Sequence, residues 1–165
     1  MDGLRVINMM RTMKVDLPLN LEALHRDLGG KLFRGRPEML LLRLSNRRNV
    51  QLFRRGMIQI LGAIPEREVE MMRHEILHRL HLITATPLVT SNMVVTTQIK
   101  GLSLRKLEKS DKNVFYETEL FPAALISKWS PTHVALFHNG KVVITGVKSL
   151  SHCHDILTFL IEYFM

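Results

Sequence analysis

His74-Glu75-Ile76-Leu77-His78 carries two histidines with a glutamate beside the first. On a helix the histidines stand one turn apart and can bind zinc, and the glutamate can then serve as general base for hydrolysis. A match of this kind arises by chance in roughly one chain in fifty of such composition. The surroundings oppose a metal. Ile76 and Leu80 belong to an apolar stripe, which turns His74 and His78 outward; Arg73 and Arg79 add positive charge, and no third ligand follows at a familiar spacing. A surface helix with incidental histidines is the reading they favour. His152-Cys153-His154 also holds ligand types, but it sits near a helix start. Cys153 is the only cysteine, so no intramolecular disulfide or cysteine-cluster zinc site can form. No glycine-rich phosphate loop, nucleophile elbow or Ser-His-Asp set is evident. The chain reads as a non-enzyme that needs no metal and no cofactor.

The 165 residues are 46% apolar and 23% charged, enough to bury a core as one domain or two half-domains and too apolar for long disorder. No stretch approaches the roughly 18 consecutive apolar residues of a membrane span. The first ten residues lack the regions of a signal peptide, so a soluble intracellular protein is expected. The net charge of +8, from 23 Lys+Arg against 15 Asp+Glu, favours an anionic partner.

The elements that position side chains come from an internal repeat. An offset of 84 residues places Asn8-Met9 on Asn92-Met93 and Thr12 on Thr96. Without a gap it goes on to place Leu41 on Leu125, Val50 on Val134, Leu52-Phe53 on Leu136-Phe137, Gly56 on Gly140, Ile60 on Ile144 and Gly62 on Gly146. Around Leu21 and Leu24 the match slips by one, onto Leu104 and Leu107. Two repeats, 1–84 and 85–165, are expected, with Thr84-Ala85-Thr86-Pro87 as a short joint.

Each repeat predicts a first strand (Leu4 to Met13; Leu88 to Gln98), then a short helix capped by Asn20 or Ser103, the first stopped by Gly29. Three strands follow, near Met39 to Leu44, Arg48 to Phe53 and Met57 to Leu61, with counterparts near Ala124 to Trp129, His133 to Phe137 and Lys141 to Thr145. Asn139-Gly140 predicts a hairpin in which both residues take positive φ. A long helix closes each repeat, with apolar stripes Val69, Met72, Ile76, Leu80 and Ile156, Leu157, Leu160, Ile161, Phe164. Two helices cover only one sheet face. The other would present Phe53, Phe137, Val94, Met10, Val143 and Leu61 with the amides of Asn8 and Asn92, an apolar area that usually marks a binding surface.

Glu119-Leu120-Phe121-Pro122 and Asn139-Gly140-Lys141-Val142-Val143-Ile144-Thr145-Gly146 strongly resemble the core domain of the TATA-box-binding protein family; the first repeat resembles that family's first repeat more weakly. The resemblance implies an α+β saddle of two pseudosymmetric repeats, a curved antiparallel sheet on the DNA minor groove with helices on the convex face. Asn8 and Asn92 would donate to A N3 and T O2 acceptors. Val94, Thr145, Met10 and Leu61, with Val143 and Lys141, would line the groove side, and Phe121 and Phe137 would part the base stack. In the first repeat Phe53 matches a wedge, but Pro37 stands where the family has its other phenylalanine; Phe33 could substitute only if the loop were rebuilt. Leu61, Met57 and Met10 stand for threonine, lysine and valine. Arg43 and Arg47 match positions that touch phosphates.

Residues 1–84 hold 15 Lys+Arg against 9 Asp+Glu, whereas 85–165 hold 8 against 6. Basicity is therefore expected to supply affinity in the first repeat, and sequence preference to come from the second. Tyr116, Glu117, Glu119 and Leu120 resemble the loop that an initiation factor of the IIB type grips. Promoter DNA and such a factor are the implied partners; a IIA-type factor is a further one, to which no contact is assigned. The implied function is transcription initiation in a nucleus or at a viral replication site. The alternative is an adaptor of the same fold that has lost TATA recognition and acts by protein docking.

Overall fold

The structure, a computed structural model, describes residues 3–102, 104, 113–117 and 119–164. Among them lie β1 (Arg5–Lys14), α1 (Leu21–Leu28), β2 (Lys31–Phe33), β3 (Met39–Arg43), β4 (Asn49–Phe53), β5 (Met57–Leu61), α2 (Glu66–Arg79), β6 (Val89–Gln98), β7 (Val114–Phe115), β8 (Ala123–Trp129), β9 (Thr132–Phe137), β10 (Lys141–Val147) and α3 (Leu150–Phe164). The chain forms two compact units, a first of Met9–Ser91 and a second of Met1–Asn8 with Asn92–Met165. The first carries strands in the order β2-β3-β4-β5-β1, the second in the order β6-β10-β9-β8-β7. The α+β class is as expected.

Local chemistry accounts for the elements. The Asn20 side chain accepts from the Ala23 N–H at 3.0 Å and opens α1; Gly29, at φ 75°, closes it by donating to the His25 carbonyl. Strict alternation in β3, β4 and β5 sends Leu40, Leu42, Val50, Leu52, Ile58 and Ile60 to one face. There they pack with Leu21 of α1 and with Val69, Met72, Ile76 and Leu77 of α2. In the second unit Ala124, Ile126, Val134, Leu136, Val142 and Ile144 are buried, as are Cys153, Ile156, Leu157 and Leu160 of α3. Each of these larger side chains contributes roughly 1.5–3 kcal/mol of burial.

The sequence offset is also an offset of strand register. Val50 faces Ile60 as Val134 faces Ile144; Leu52 faces Ile58 as Leu136 faces Val142; Met10 faces Leu61 as Val94 faces Thr145. Two elements went unexpected. The edge strands β2 and β7 have three and two residues, too few to show a period. The helix start expected at Ser103, and Leu107, lie outside the described residues; Leu104 is buried like Leu21.

The hairpin expectation at Asn139-Gly140 needs correction, since Gly140 alone of the pair has positive φ, at 81°. The turn centres on His138-Asn139 and is closed by the Gly140 N–H donating to Phe137, while Asn139 Oδ1 accepts from the Lys141 N–H at 3.0 Å. This is a hairpin whose third loop residue is left-handed, and glycine supplies that position. Gly56 does the same in the first unit at φ 83°. A Cβ on Gly140 would lie 2.0 Å from the Ile99 carbonyl oxygen, and one on Gly56 2.5 Å from that of Val15.

Arg11 was not foreseen as a core residue. It points from β1 to the helix side, 8% exposed, with Nη2 on Glu66 Oε2 at 2.7 Å and Nη1 donating to the Ile64 carbonyl at 3.2 Å. It thereby ties β1 to the start of α2, a helix with no side-chain cap of its own.

Gly140→Ala and Gly56→Ala are each expected to lower unfolding free energy by at least about 2 kcal/mol in denaturant titrations. Gly101→Ala, at φ 83° with open space around it, should cost only about 1 kcal/mol. Arg11→Ala should cost about 1–3 kcal/mol because a buried carbonyl loses its donor, whereas Glu66→Ala, on an exposed carboxylate, should stay within about 1 kcal/mol.

Candidate nucleic-acid interface

In both units the strand face away from the helices is open, and its residues form rows that run across the strands. In the second unit one row reads Phe115, Leu125, Ala135, Val143, Thr96, each directly opposite the next. A neighbouring row reads His133, Thr145, Val94. Val94, Val143 and Thr145 are half-buried there, as expected for this face. Phe121 and Phe137 stand together, ring centroids 6.2 Å apart and tilted by 57°, and Lys141 Nζ lies 5.9 Å from the Phe137 ring. Phe121 leaves a turn in which the Glu117 carbonyl accepts from the N–H groups of Leu120 and Phe121 at 3.0 and 2.9 Å. Leu120 is 72% exposed, Glu117 and Glu119 are exposed, and Tyr116 is half-buried.

The corresponding row of the first unit is Lys31, Leu41, Gln51, Gln59, Thr12. It matches the second unit's row position by position at the offset of 84. Met10 is half-buried, and Leu61, opposite it, is 37% exposed. Phe53 differs from expectation: it is only 8% exposed and does not stand out from the face. Met39 is directly opposite it, where the second unit sets the small Ala123 opposite Phe137. Beside Phe53 opens a cavity of about 790 Å³, lined among others by Pro37, Phe53, Met57, Met13 and Lys14. Pro37 supplies no second ring. Phe33 lies in a row with Met39 and Phe53, but on the edge strand, under Lys31 Nζ at 4.9 Å.

The arginines divide into two groups. Arg54 bridges Glu38 at 2.6 Å and Glu22 at 2.8 Å, Arg34 reaches Glu22 at 4.0 Å, and Arg48 meets Glu68 at 3.2 Å. The Arg54 hydrogen bond holds the Glu22 carboxyl below its ordinary range. Arg43 and Arg47 are exposed and have no carboxylate partner among the described residues; Arg47 sits at φ 64° in the β3–β4 turn. Asn8 is exposed. Asn92 is half-buried, and its Oδ1 is buried with no hydrogen-bond partner.

His74 and His78 point to solvent on α2, as expected. Glu75 is engaged elsewhere: it accepts from the Ser45 N–H at 2.9 Å and from its hydroxyl, and pairs with Arg79. Partial burial pushes the Glu75 carboxyl up, but the Ser45 hydrogen bonds and the Arg79 charge outweigh it and hold it low. The glutamate is thus a clamp on the β3–β4 turn. Cys153 is buried, and burial pushes its thiol up, away from reactive thiolate. Among the described residues no three His, Cys, Asp or Glu side chains gather to hold a metal ion.

Sequence reading missed Gln51, Gln59, Leu41 and Leu125. The first two fall on Ala135 and Val143 at the same offset that disclosed the repeat, so the signal was present. The cavity carried no such signal, since its lining brings Pro37 and Phe53 together with Met13, Lys14 and Met57 from other strands.

Residues 88–164 match the family model described as transcription factor TFIID, or TATA-binding protein. No curated protein sequence matches the chain. Among solved structures, the TATA-binding protein of Methanococcus jannaschii is similar at 25% identity, over 98% of this chain and 97% of that one, with a TM-score of 0.80. The second repeat matches the family's sequence model, and the chain as a whole is similar in fold to an archaeal TATA-binding protein.

Proposed function

We propose that the protein binds A·T-rich promoter DNA in the minor groove through the open faces of its half-sheets, bends it, and recruits a IIB-type initiation factor. The observation that carries this reading is the second unit's open face: a dry row of Leu125, Ala135 and Val143 beside the paired rings of Phe121 and Phe137. Such a row packs on the floor of an A·T groove and leaves no partner for a guanine amino group. Apolar rings at its edge can enter a base step and unstack it, which bends the duplex toward the major groove.

The asparagines supply the polar part. With Oδ1 of Asn92 turned inward, the amide nitrogen is the end suited to donate to A N3 or T O2. Arg43 and Arg47, which have no carboxylate partner among the described residues, are the first unit's candidates for phosphate contact, together with Lys141 in the second. Arg34, Arg48 and Arg54 are paired with glutamates, so fewer arginines stand without a partner than the count of arginines suggests. Leu120 flanked by Glu117 and Glu119, with Tyr116 behind, offers an apolar knob in an acidic setting for the protein partner. The IIA-type factor receives no such surface.

On an A·T-rich duplex at moderate salt, mobility shifts and end-to-end fluorescence transfer should show a bent complex. Asn92→Ala and Phe137→Ala should each weaken it about tenfold or more, and Phe121→Ala should cost more than Pro37→Ala. A protein that shows no sequence-preferring bend, with both variants unchanged, would refute the reading and favour the adaptor. Arg43→Ala or Arg47→Ala should lower the slope of log affinity against log salt by about 1 each. Leu120→Ala with Glu119→Ala should abolish the ternary complex with a IIB-type factor while leaving the DNA complex intact.

A further inference from the structure

We propose that Gln51 and Gln59 let the first half-sheet accept and read G·C pairs, so that the preferred site is A·T-restricted under one half-sheet only. The inference rests on the DNA-binding reading above and concerns which base pairs that face selects.

The two glutamines are direct cross-strand partners at the centre of the first unit's open face, flanked in the same row by Leu41 and Thr12. Both are half-buried. Their orientation is not adjustable. Val50, Leu52, Ile58 and Ile60, their neighbours along the strands, are buried on the opposite face, and a slip of one residue would expose all four. Among the described residues Gln51 has no hydrogen-bond partner. The Gln59 amide nitrogen meets only the Met57 sulfur, at 3.8 Å. Both amides therefore retain their hydrogen-bonding capacity for a ligand. The equivalent pair in the second unit, Ala135 opposite Val143, has none.

A minor-groove floor offers acceptors at every pair, A N3 and T O2 or G N3 and C O2, and one donor, the guanine N2 amino group. Against Ala135 and Val143 that amino group loses its water and gains no partner, which is the penalty that restricts a site to A·T. A carboxamide removes the penalty. Its Oε1 accepts from the guanine N2–H, and its Nε2 donates to the neighbouring N3 or O2 acceptor, so G·C becomes a satisfied pair. Gln51 and Gln59 are close enough, as opposed residues on one face, to address adjacent base pairs.

The test is a substitution scan on an A·T-rich duplex. Each A·T pair is replaced in turn by G·C and by inosine·C, which has the same hydrogen-bonding edge without the N2 amino group. Binding is measured by fluorescence anisotropy. Towards one end of the footprint G·C should cost less than about threefold, and towards the other about tenfold or more. The double variant Gln51→Ala, Gln59→Val, which installs the residues of the second unit, should restore a penalty of about tenfold for G·C at the tolerant end. Inosine·C duplexes, which lose only the contact to an N3 or O2 acceptor, should weaken far less than G·C duplexes, and a thermal melt at the wild-type temperature would show the variant folded. Equal G·C penalties at both ends, or a variant that shifts G·C and inosine·C alike, would overturn the inference while leaving the DNA-binding reading standing. A·T-rich duplex bound no more tightly than random-sequence DNA would overturn both.

Discussion

Strand register governs what this protein can present. In each unit a one-sided core, built on Val50, Leu52, Ile58 and Ile60 or on Val134, Leu136, Val142 and Ile144, holds neighbouring strands in a single alignment, because any slip of one residue turns four buried side chains into water. Everything on the open face is a consequence. Val143 and Ala135 face outward because Val142 and Leu136 face in. Gln51 and Gln59 face outward for the same reason, although nothing about a glutamine demands it.

The same backbone therefore displays two chemically different faces. The second unit has an apolar row and a pair of rings; the first has amides at the row's centre, a buried Phe53, and a cavity lined by Pro37 and Phe53. Its charge is also less available than a residue count suggests. Glu22, Glu38 and Glu68 take up Arg34, Arg48 and Arg54, so much of that basicity braces the fold. Even Glu75, part of a histidine motif that resembles a zinc site, serves to hold the Ser45 turn.

The repeat, the order of the longer elements and the core stripes were legible in the sequence because periodicity and a constant offset are properties of the chain alone. Asn20, Gly29, Val69, Met72, Ile76, Val134 and Leu136 lie where pattern places them. Three things were not legible. Edge strands of two or three residues have no period to detect. The Asn139-Gly140 hairpin was placed one residue late, since a left-handed glycine serves two kinds of loop and only the backbone distinguishes them. The burial of Phe53, whose cross-strand partner is Met39, fourteen residues away, is a property of the packed strands and not of its own segment. Gln51 and Gln59 belong to a fourth kind: readable from the offset, yet easily passed over, because attention to apolar residues hides the polar ones that interrupt them.

Gly140 and Gly56 bear on mechanics as well as on folding. Each lets a hairpin tip close directly onto the backbone at the end of another strand, β6 for Gly140 and β1 for Gly56, with Ile99 or Val15 donating its N–H to the glycine carbonyl. Such a contact leaves no room for a side chain at the tip and opposes sliding of the two strand ends past one another. A duplex with a persistence length of about 50 nm resists being bent, and yields only to something that yields less. In the DNA complex proposed above, the two tips are the points at which each half-sheet would have to resist the duplex in return.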